Sequence, residues 1–168
     1  MRLCPAEADP KVSEPLSFQV RRFCRAPRGV VFDTLHDVPS WSTWAPGVRS
    51  SRWEPAPDVP SGAQAIRRLT FPIGLVVREL IIEEVPPRGQ QYVLLGWTPV
   101  KDYQGEVSLE EEADGCAVSW RGRFNAMVPG SGVVMRALLR IPVERMAGGL
   151  MTESERRWQD HLSTPESR

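Results

Sequence analysis

The sequence has no net charge, no long hydrophobic run and very little lysine or histidine. Its 168 residues carry 21 basic and 21 acidic side chains, so no overall charge attracts the chain to nucleic acid. Lys11 and Lys101 are the only lysines, and this excess of arginine is expected of a GC-rich bacterial coding sequence. No segment approaches the roughly 18 consecutive apolar residues of a membrane-spanning helix, which predicts no stable membrane insertion.

Cysteine and histidine are too few and too scattered for the usual frameworks. The three cysteines, Cys4, Cys24 and Cys116, are odd in number and far apart, which argues against a disulfide scaffold. The two histidines, His36 and His161, share no metal-ligand spacing, so we predict neither a metal nor another cofactor. The first residues lack the apolar core of a signal peptide, and we therefore expect a cytoplasmic protein.

The remaining composition is that of one ordinary globular domain. Hydrophobic residues make up 41% and charged residues 25% of the chain, and the length suits a single core. Proline and charge in residues 1–14 predict a flexible tail. Residues 15–162 are predicted to form the domain, and residues 163–168 a frayed C-terminus.

Hydrophobic periodicity predicts an α+β fold. Period-two alternation and turn residues indicate strands near 16–21, 48–53, 65–71, 75–85, 91–97, 103–111 and 117–124. Two short helices follow the first strand, one after Pro27 and one at Trp41–Trp44. After Pro129 the period becomes helical and continues toward Trp158, with a kink expected at Pro142. We predict a curved antiparallel sheet of about six or seven strands wrapped around this long C-terminal helix.

Several motifs together resemble a known superfamily. They are Val31-Phe32-Asp33-Thr34-Leu35, Trp41-Ser42-Thr43-Trp44-Ala45-Pro46-Gly47, Tyr103-Gln104-Gly105-Glu106-Val107, Val118-Ser119-Trp120 and Pro129-Gly130-Ser131-Gly132. Across roughly residues 16–160 the chain resembles the START-like polyketide cyclase/dehydrase and lipid-transport superfamily (SRPBCC), whose members have a helix-grip fold. The resemblance implies an internal cavity for a hydrophobic molecule such as a lipid, polyketide, sterol or quinone.

Three functions follow from this interpretation. The first is binding or transport of a hydrophobic small molecule between the sheet and the last helix, by a monomer or homodimer. The second is a polyketide cyclase, aromatase or dehydratase; no catalytic residue of the family's enzymes matches residue by residue, so none is assigned and enzymatic activity stays open. The third is a protein–protein adaptor whose cavity is closed by its own side chains.

The strand alternation selects candidate ligand-binding residues. Tyr103 and Val107 share one strand face, Trp120 and Phe124 another, and both faces are predicted to point inward. The full predicted set is Trp41, Trp44, Val76, Arg78, Leu80, Tyr103, Val107, Trp120, Phe124, Met135, Leu138 and Leu139. The aromatic members would either contact a ligand or fill the core themselves.

An inward arginine is the predicted polar anchor. The strand at 75–85 is assigned Val76, Arg78 and Leu80 on its inner face. A buried arginine needs a carboxylate partner or a polar ligand group, because an unpaired buried charge is very costly. Arg67 is a second candidate for the same role.

Overall fold

The computed structural model of the protein describes residues 14–54 and 62–163. The predicted flexible tail and frayed C-terminus lie outside the described residues, except for Glu14 and for Ser163, which ends the last helix. The strands are β1 (Leu16–Cys24), β2 (Ser50–Glu54), β3 (Ile66–Thr70), β4 (Val76–Val85), β5 (Gly89–Leu95), β6 (Val100–Glu112) and β7 (Gly115–Ala126). The helices are α1 (Arg28–His36), α2 (Trp41–Trp44) and α3 (Gly132–Ser163), with 3₁₀ turns at Val38–Ser40 and Pro72–Gly74.

The seven strands form one antiparallel sheet in the order β1-β7-β6-β5-β4-β3-β2. Each connection from β2 to β7 joins neighbouring strands, so the even spacing of the sequence pattern becomes a simple meander. The curved sheet wraps around α3, and α1 and α2 follow β1. The predicted α+β helix-grip architecture, with its two short helices and long C-terminal helix, is confirmed.

The core lies between the concave face of the sheet and α3. On β6 and β7 the alternation places Tyr103, Val107, Trp120 and Phe124 inside, where all four are buried. Their polar neighbours along each strand face solvent. Burial of the apolar face therefore stabilises the fold, while the polar face stays hydrated. The inward orientation predicted for these four residues is confirmed.

The orientation predicted for β4 was wrong. Glu79 and Ile81 are the buried residues of this strand, while Val76 is exposed and Arg78 and Leu80 are half-buried on the opposite face. Both faces of β4 carry apolar side chains, so periodicity could not distinguish them. Arg78 is held on the outer face by Glu54, with 2.9 Å between its guanidinium and the carboxylate.

The long helix is continuous over 32 residues and passes through Pro142. Its C-terminal half is buried against the sheet at Val143, Met146 and Leu150. Its N-terminal half is largely exposed, including Leu138. Of the helices that the structure describes, none combines the length and the apolarity needed to cross a membrane.

A charged cluster fastens α3 to the turn after α1. The Glu153 carboxylate accepts hydrogen bonds from Arg156 at 2.7 Å and Arg157 at 2.8 Å. Arg157 also donates to Asp37 and to Ser40, each at 2.9 Å. Arg156, followed by Arg157, lowers the pKa of Glu153 to about 2, against the opposing effect of burial.

We expect Glu153→Gln to reduce the free energy of unfolding by about 1–2 kcal/mol, because charge-assisted hydrogen bonds to both arginines are weakened. Since the folded-state pKa is lowered, the carboxylate stabilises the protein at neutral pH. That contribution is lost as the pH falls from about 4.5 to about 2. Urea denaturation at pH 7 and pH 3 measures both effects.

Glu144→Gln is the matched control, because Glu144 lies on the same helix in a solvent-exposed pair with Arg22. Its effect should stay below about 0.5 kcal/mol. Equal losses for the two variants would contradict a special role for Glu153.

Candidate functional site: a buried arginine cluster beside a gap in the sheet

A buried ion pair crosses the hairpin of β3 and β4. The register sets Arg67 directly opposite Glu79, on the inner face of the sheet. The Arg67 Nε donates to Glu79 Oε2 at 2.6 Å, and both side chains are almost fully shielded from solvent. The pair therefore places a fixed, charge-compensated guanidinium in the core.

Aromatic rings surround this guanidinium. Its Cζ lies 4.2 Å from the ring centroid of Trp41 and 5.3 Å from that of Tyr92, which are cation–π distances. The Trp120 indole donates to the Tyr92 hydroxyl at 2.9 Å. The rings of Tyr92 and Tyr103 lie 6.3 Å apart. These contacts connect the guanidinium, its partner and the rings around it into one group, which we call the arginine cluster. Its members are Arg67, Glu79, Trp41, Tyr92, Tyr103 and Trp120, together with Gln90.

The arginine cluster contains polar atoms without partners. Arg67 Nη1 and Nη2 are buried and have no hydrogen-bond partner among the described residues. The same is true of the Gln90 side-chain amide, on the inner face of β5 beside Tyr92. Buried donors of this kind are rare in folded proteins because each costs about 1–3 kcal/mol when left unpaired. They are the atoms from which a polar ligand group would gain most.

The two tyrosines of the arginine cluster are held in the protonated form. Burial raises the pKa of Tyr92 to about 12. Burial also raises the pKa of Tyr103 well above its usual value. Both phenols therefore remain neutral hydrogen-bond donors and acceptors across the physiological pH range.

A gap in the sheet has one residue of the arginine cluster, Tyr103, in its wall. Pairing between β5 and β6 ends at Val93↔Gln104, and the register of β6 shifts between Lys101 and Gln104. Asp102, at this shift of β6 against β7, has a positive φ of 52°, a local distortion of the kind found at strand irregularities. Between the separated strand ends lies a depression of about 680 Å³ with Tyr103 in its wall. We call it the β5–β6 gap.

Comparison with known proteins identifies the family of this chain. A family model described as polyketide cyclase/dehydrase and lipid transport matches residues 15–155. The chain belongs to this family. A search of curated proteins finds no match.

Several solved structures share the fold of this family member. A putative uncharacterized protein from Bacillus thuringiensis superposes with a TM-score of 0.66 at 19% identity, over 83% of this chain and 98% of the other. The di-domain ARO/CYC StfQ from the steffimycin biosynthetic pathway has a TM-score of 0.69 at 15% identity, over 90% of this chain and 53% of that one. Ara h 8.0201 has a TM-score of 0.65 at 13% identity, over 87% and 99%. At these identities the likeness establishes the fold alone.

The structure brings together part of the predicted site of this family member. Trp41, Tyr103 and Trp120 belong to the arginine cluster. Val107, Phe124, Met135 and Leu139 are in the core or packed against it. The Trp44 ring lies tilted against that of Trp41, with ring centroids 5.0 Å apart. Val76, Arg78, Leu80 and Leu138 lie outside this group. Contact of any of these residues with a ligand stays a prediction.

Sequence reasoning missed Glu79, Gln90 and Tyr92. The prediction of Arg78 and Leu80 on the inner face of this strand placed the alternate residue Glu79 on the outer face, and Arg67 was only a second candidate anchor. The signal that could have corrected this is the hairpin turn at Pro72-Ile73-Gly74. Folding the two strands about that turn sets Arg67 opposite Glu79, and an Arg–Glu pair on one face of a hairpin favours a shared environment.

Proposed function

We propose that this protein binds an apolar small molecule that carries a neutral oxygen acceptor. The molecule enters through the β5–β6 gap, and its oxygen binds at the Arg67 guanidinium. The observation that carries the proposal is the pair of buried, unpartnered Nη atoms of Arg67 among aromatic rings. Aromatic walls suit a planar or chain-like apolar body. The guanidinium nitrogens supply the few fixed polar contacts that orient a ligand in such sites.

The charge balance of the arginine cluster selects the kind of oxygen. Glu79 already neutralises Arg67 at 2.6 Å. A ligand carboxylate would add a second negative charge to a desolvated site, whereas a ketone, quinone or phenol oxygen would accept from Nη1 and Nη2 without net charge. Neutral oxygenated ligands such as polyketides and quinones therefore fit this site better than fatty-acid anions.

The β5–β6 gap supports the proposed route. Its volume of about 680 Å³ is within the usual range of small-molecule sites, roughly 300–1,000 Å³. Tyr103 lines the gap and its ring contacts Tyr92, which in turn lies beside Arg67. In this proposal the Tyr103 ring separates the gap from the guanidinium and turns aside when ligand enters.

A second candidate is cyclisation or dehydration of a polyketide-like chain at the same site. It is favoured by the protonated phenols of Tyr92 and Tyr103 beside Arg67, since fixed donors stabilise an enolate oxygen as it forms. Turnover of a model poly-β-ketone that disappears in Tyr103→Phe would support this candidate over binding alone.

The test uses two matched probes, 2-acetylnaphthalene and 2-ethylnaphthalene, which differ by one carbonyl oxygen. The variant Arg67→Met/Glu79→Leu removes both charges together and keeps apolar side chains of similar size. We expect it to weaken 2-acetylnaphthalene binding about fivefold to tenfold, as the loss of a buried hydrogen bond implies. Binding of 2-ethylnaphthalene should be unchanged. Isothermal titration calorimetry measures both affinities.

Two results would overturn the proposal. One is parent protein that binds neither probe; the other is a variant that keeps the parent's preference for the ketone. Thermal unfolding of the variant serves as the fold control. Native mass spectrometry of freshly purified protein then identifies the class of any co-purified ligand.

A further inference from the structure

Three connections of the sheet meet at one end. Because neighbouring strands are antiparallel from β3 to β7, strands β3, β5 and β7 all run in the same direction. The connections that follow these three strands therefore lie at the same end of the sheet. They are residues 71–75, 96–99 and 127–131. Together with the first turns of α3, residues 132–141, we call them the loop end.

Each of these segments exposes a large apolar side chain. Ile73 is 99% exposed, Trp97 86% and Val128 62%. Val133 and Val134, in the first turn of α3, are 69% and 61% exposed. Scattered exposed apolar residues are normal, but the loop end holds nine of the 14 exposed large apolar residues that the structure describes, and such a concentration marks an interaction surface.

Ile73 is also held in an unfavourable backbone conformation. Its φ of 58° lies in the left-handed region, which branched side chains rarely adopt. Glycine or asparagine would fit this turn at lower cost. Folding therefore does not explain an isoleucine here, and its complete exposure means that packing does not explain it either.

The N-terminal half of α3 is apolar on nearly all sides. Met135 and Leu139 face the core, while Val134, Leu138 and Ile141 are exposed on the outer face. A helix that is hydrophobic all round is normally covered. In the structure this half of α3 has no cover on its outer face from the described residues.

The charge at the loop end is mainly positive. The segments that make up the loop end contain two arginines, Arg136 and Arg140, and no acidic residue. Arg136 and Arg140 are exposed on α3 and form no ion pair with the described residues. Lys101 lines the β5–β6 gap together with Trp97, and its acidic neighbour Asp102 accepts a hydrogen bond from Asn125 at 3.0 Å. Among the residues that the structure describes, Glu14 is another acid near this end.

The opposite end of the sheet carries a group of acidic side chains. Its β6–β7 turn carries the acidic run Glu110–Glu112 and Asp114. The acidic residues of this turn are thus far from the loop end, and one of them, Glu111, pairs with Arg28 at 3.0 Å.

We infer that the loop end docks on the surface of an anionic lipid bilayer. The projecting side chains of Ile73, Trp97 and Val128 enter the interfacial region, where indole rings are favoured. Arg136 and Arg140 bind lipid phosphates, as basic residues beside an apolar helix face do in interfacial helices. The protein lies on the membrane and does not cross it.

A second copy of the chain is a poorer occupant of this surface. A symmetric dimer would set the arginines of one loop end against those of the other, which is a like-charge contact. The apolar residues also project singly from separate segments, whereas a dimer interface requires a continuous self-complementary face. A fluid anionic lipid surface accommodates both the like-charged arginines and the singly projecting apolar side chains.

Docking in this orientation would bring the β5–β6 gap to the membrane. Trp97 and Met127 line both the gap and the loop end. The proposed ligand could then pass between bilayer and protein without crossing bulk water. This consequence rests on the proposed function, but the docking itself does not.

Flotation of the ligand-free protein with lipid vesicles tests the inference. Vesicles of phosphatidylcholine with phosphatidylglycerol are compared with vesicles of phosphatidylcholine alone, at low and at high salt. We expect binding to the anionic vesicles that weakens with salt. Ile73→Asn/Trp97→Ser should reduce the affinity for anionic vesicles by at least about tenfold, because the variant lacks two apolar side chains that would move from water into the bilayer interface.

The matched control is Val85→Ser, which removes an exposed apolar side chain at the opposite end of the sheet and should leave flotation unchanged. Arg136→Ser/Arg140→Ser should remove the preference for anionic vesicles. Ile73→Asn alone should weaken flotation without lowering the thermal midpoint, because asparagine tolerates the left-handed conformation.

Three results would overturn docking on a bilayer. These are no flotation of the parent protein with either vesicle, equal flotation of parent and Ile73→Asn/Trp97→Ser, or a concentration-dependent dimer that forms without lipid and is abolished by the same variant. Because Ile73 lies outside the β5–β6 gap, Ile73→Asn should bind 2-acetylnaphthalene like the parent. Failure of docking and failure of ligand binding are therefore measured separately.

Discussion

Glu79→Gln is expected to lower the free energy of unfolding by about 3–5 kcal/mol, because it leaves the buried Arg67 guanidinium without its counter-charge. Arginine cannot lose its proton to relieve that cost. Glu79 is the residue within hydrogen-bond distance of Arg67 Nε, and the two Nη atoms have no partner among the described residues that could compensate. Guanidinium chloride denaturation followed by circular dichroism measures the loss.

The reverse variant and the double variant sharpen this expectation. Arg67→Met removes the buried guanidinium together with its two unpartnered nitrogens, so it should cost less than Glu79→Gln. Arg67→Met/Glu79→Leu removes both charges and should be far more stable than the sum of the single losses predicts. Additive losses would contradict the view that Arg67 and Glu79 act as one buried pair.

Gly105→Ala is expected to cost about 2–3 kcal/mol, because the added methyl group would overlap the buried ring of Tyr92. Gly105 lies opposite Tyr92 across β5 and β6, and the absence of a side chain there makes room for the phenol. Tyr92 also accepts the Trp120 hydrogen bond and flanks Arg67, so its ring has little freedom to move. Thermal unfolding and near-ultraviolet circular dichroism report the stability and the aromatic packing.

Gly148→Ala is the matched control for this substitution. Gly148 lies within α3, and an added methyl group would meet no atom within 4 Å. It should stabilise the protein by about 0.5–1 kcal/mol, because alanine is the better helix former. A loss in Gly148→Ala as large as that in Gly105→Ala would show that the effect is not specific to the space beside Tyr92.

The strands whose two faces differ in polarity were predictable from the sequence. On β6, Tyr103 and Val107 alternate with charged or polar residues, and on β7, Trp120 and Phe124 alternate with arginines. Only one of the two possible orientations of such a strand buries the apolar residues and exposes the polar ones. The alternation along the strand therefore determines which face points inward. The long C-terminal helix was equally clear, and it runs without interruption through Pro142, where a kink was expected.

The strand whose two faces are alike was not predictable. β4 has Val77 and Ile81 on one face and Val76 and Leu80 on the other, so hydrophobicity favours neither. Its orientation depends on the partner strand, because Glu79 is buried only where Arg67 meets it across the hairpin. The candidate site therefore moved from Arg78 to Arg67, a change that single-strand periodicity had no means to detect.

Local pattern in this sequence determined the elements, their order and the inner faces of β6 and β7, because each depends on side chains adjacent along the chain. Tertiary structure alone decided which arginine is buried, where β5 and β6 separate, and that Ile73, Trp97 and Val128 share one end of the molecule. Those features join residues from different strands, and their energies depend on contacts that exist only once the sheet has closed around α3.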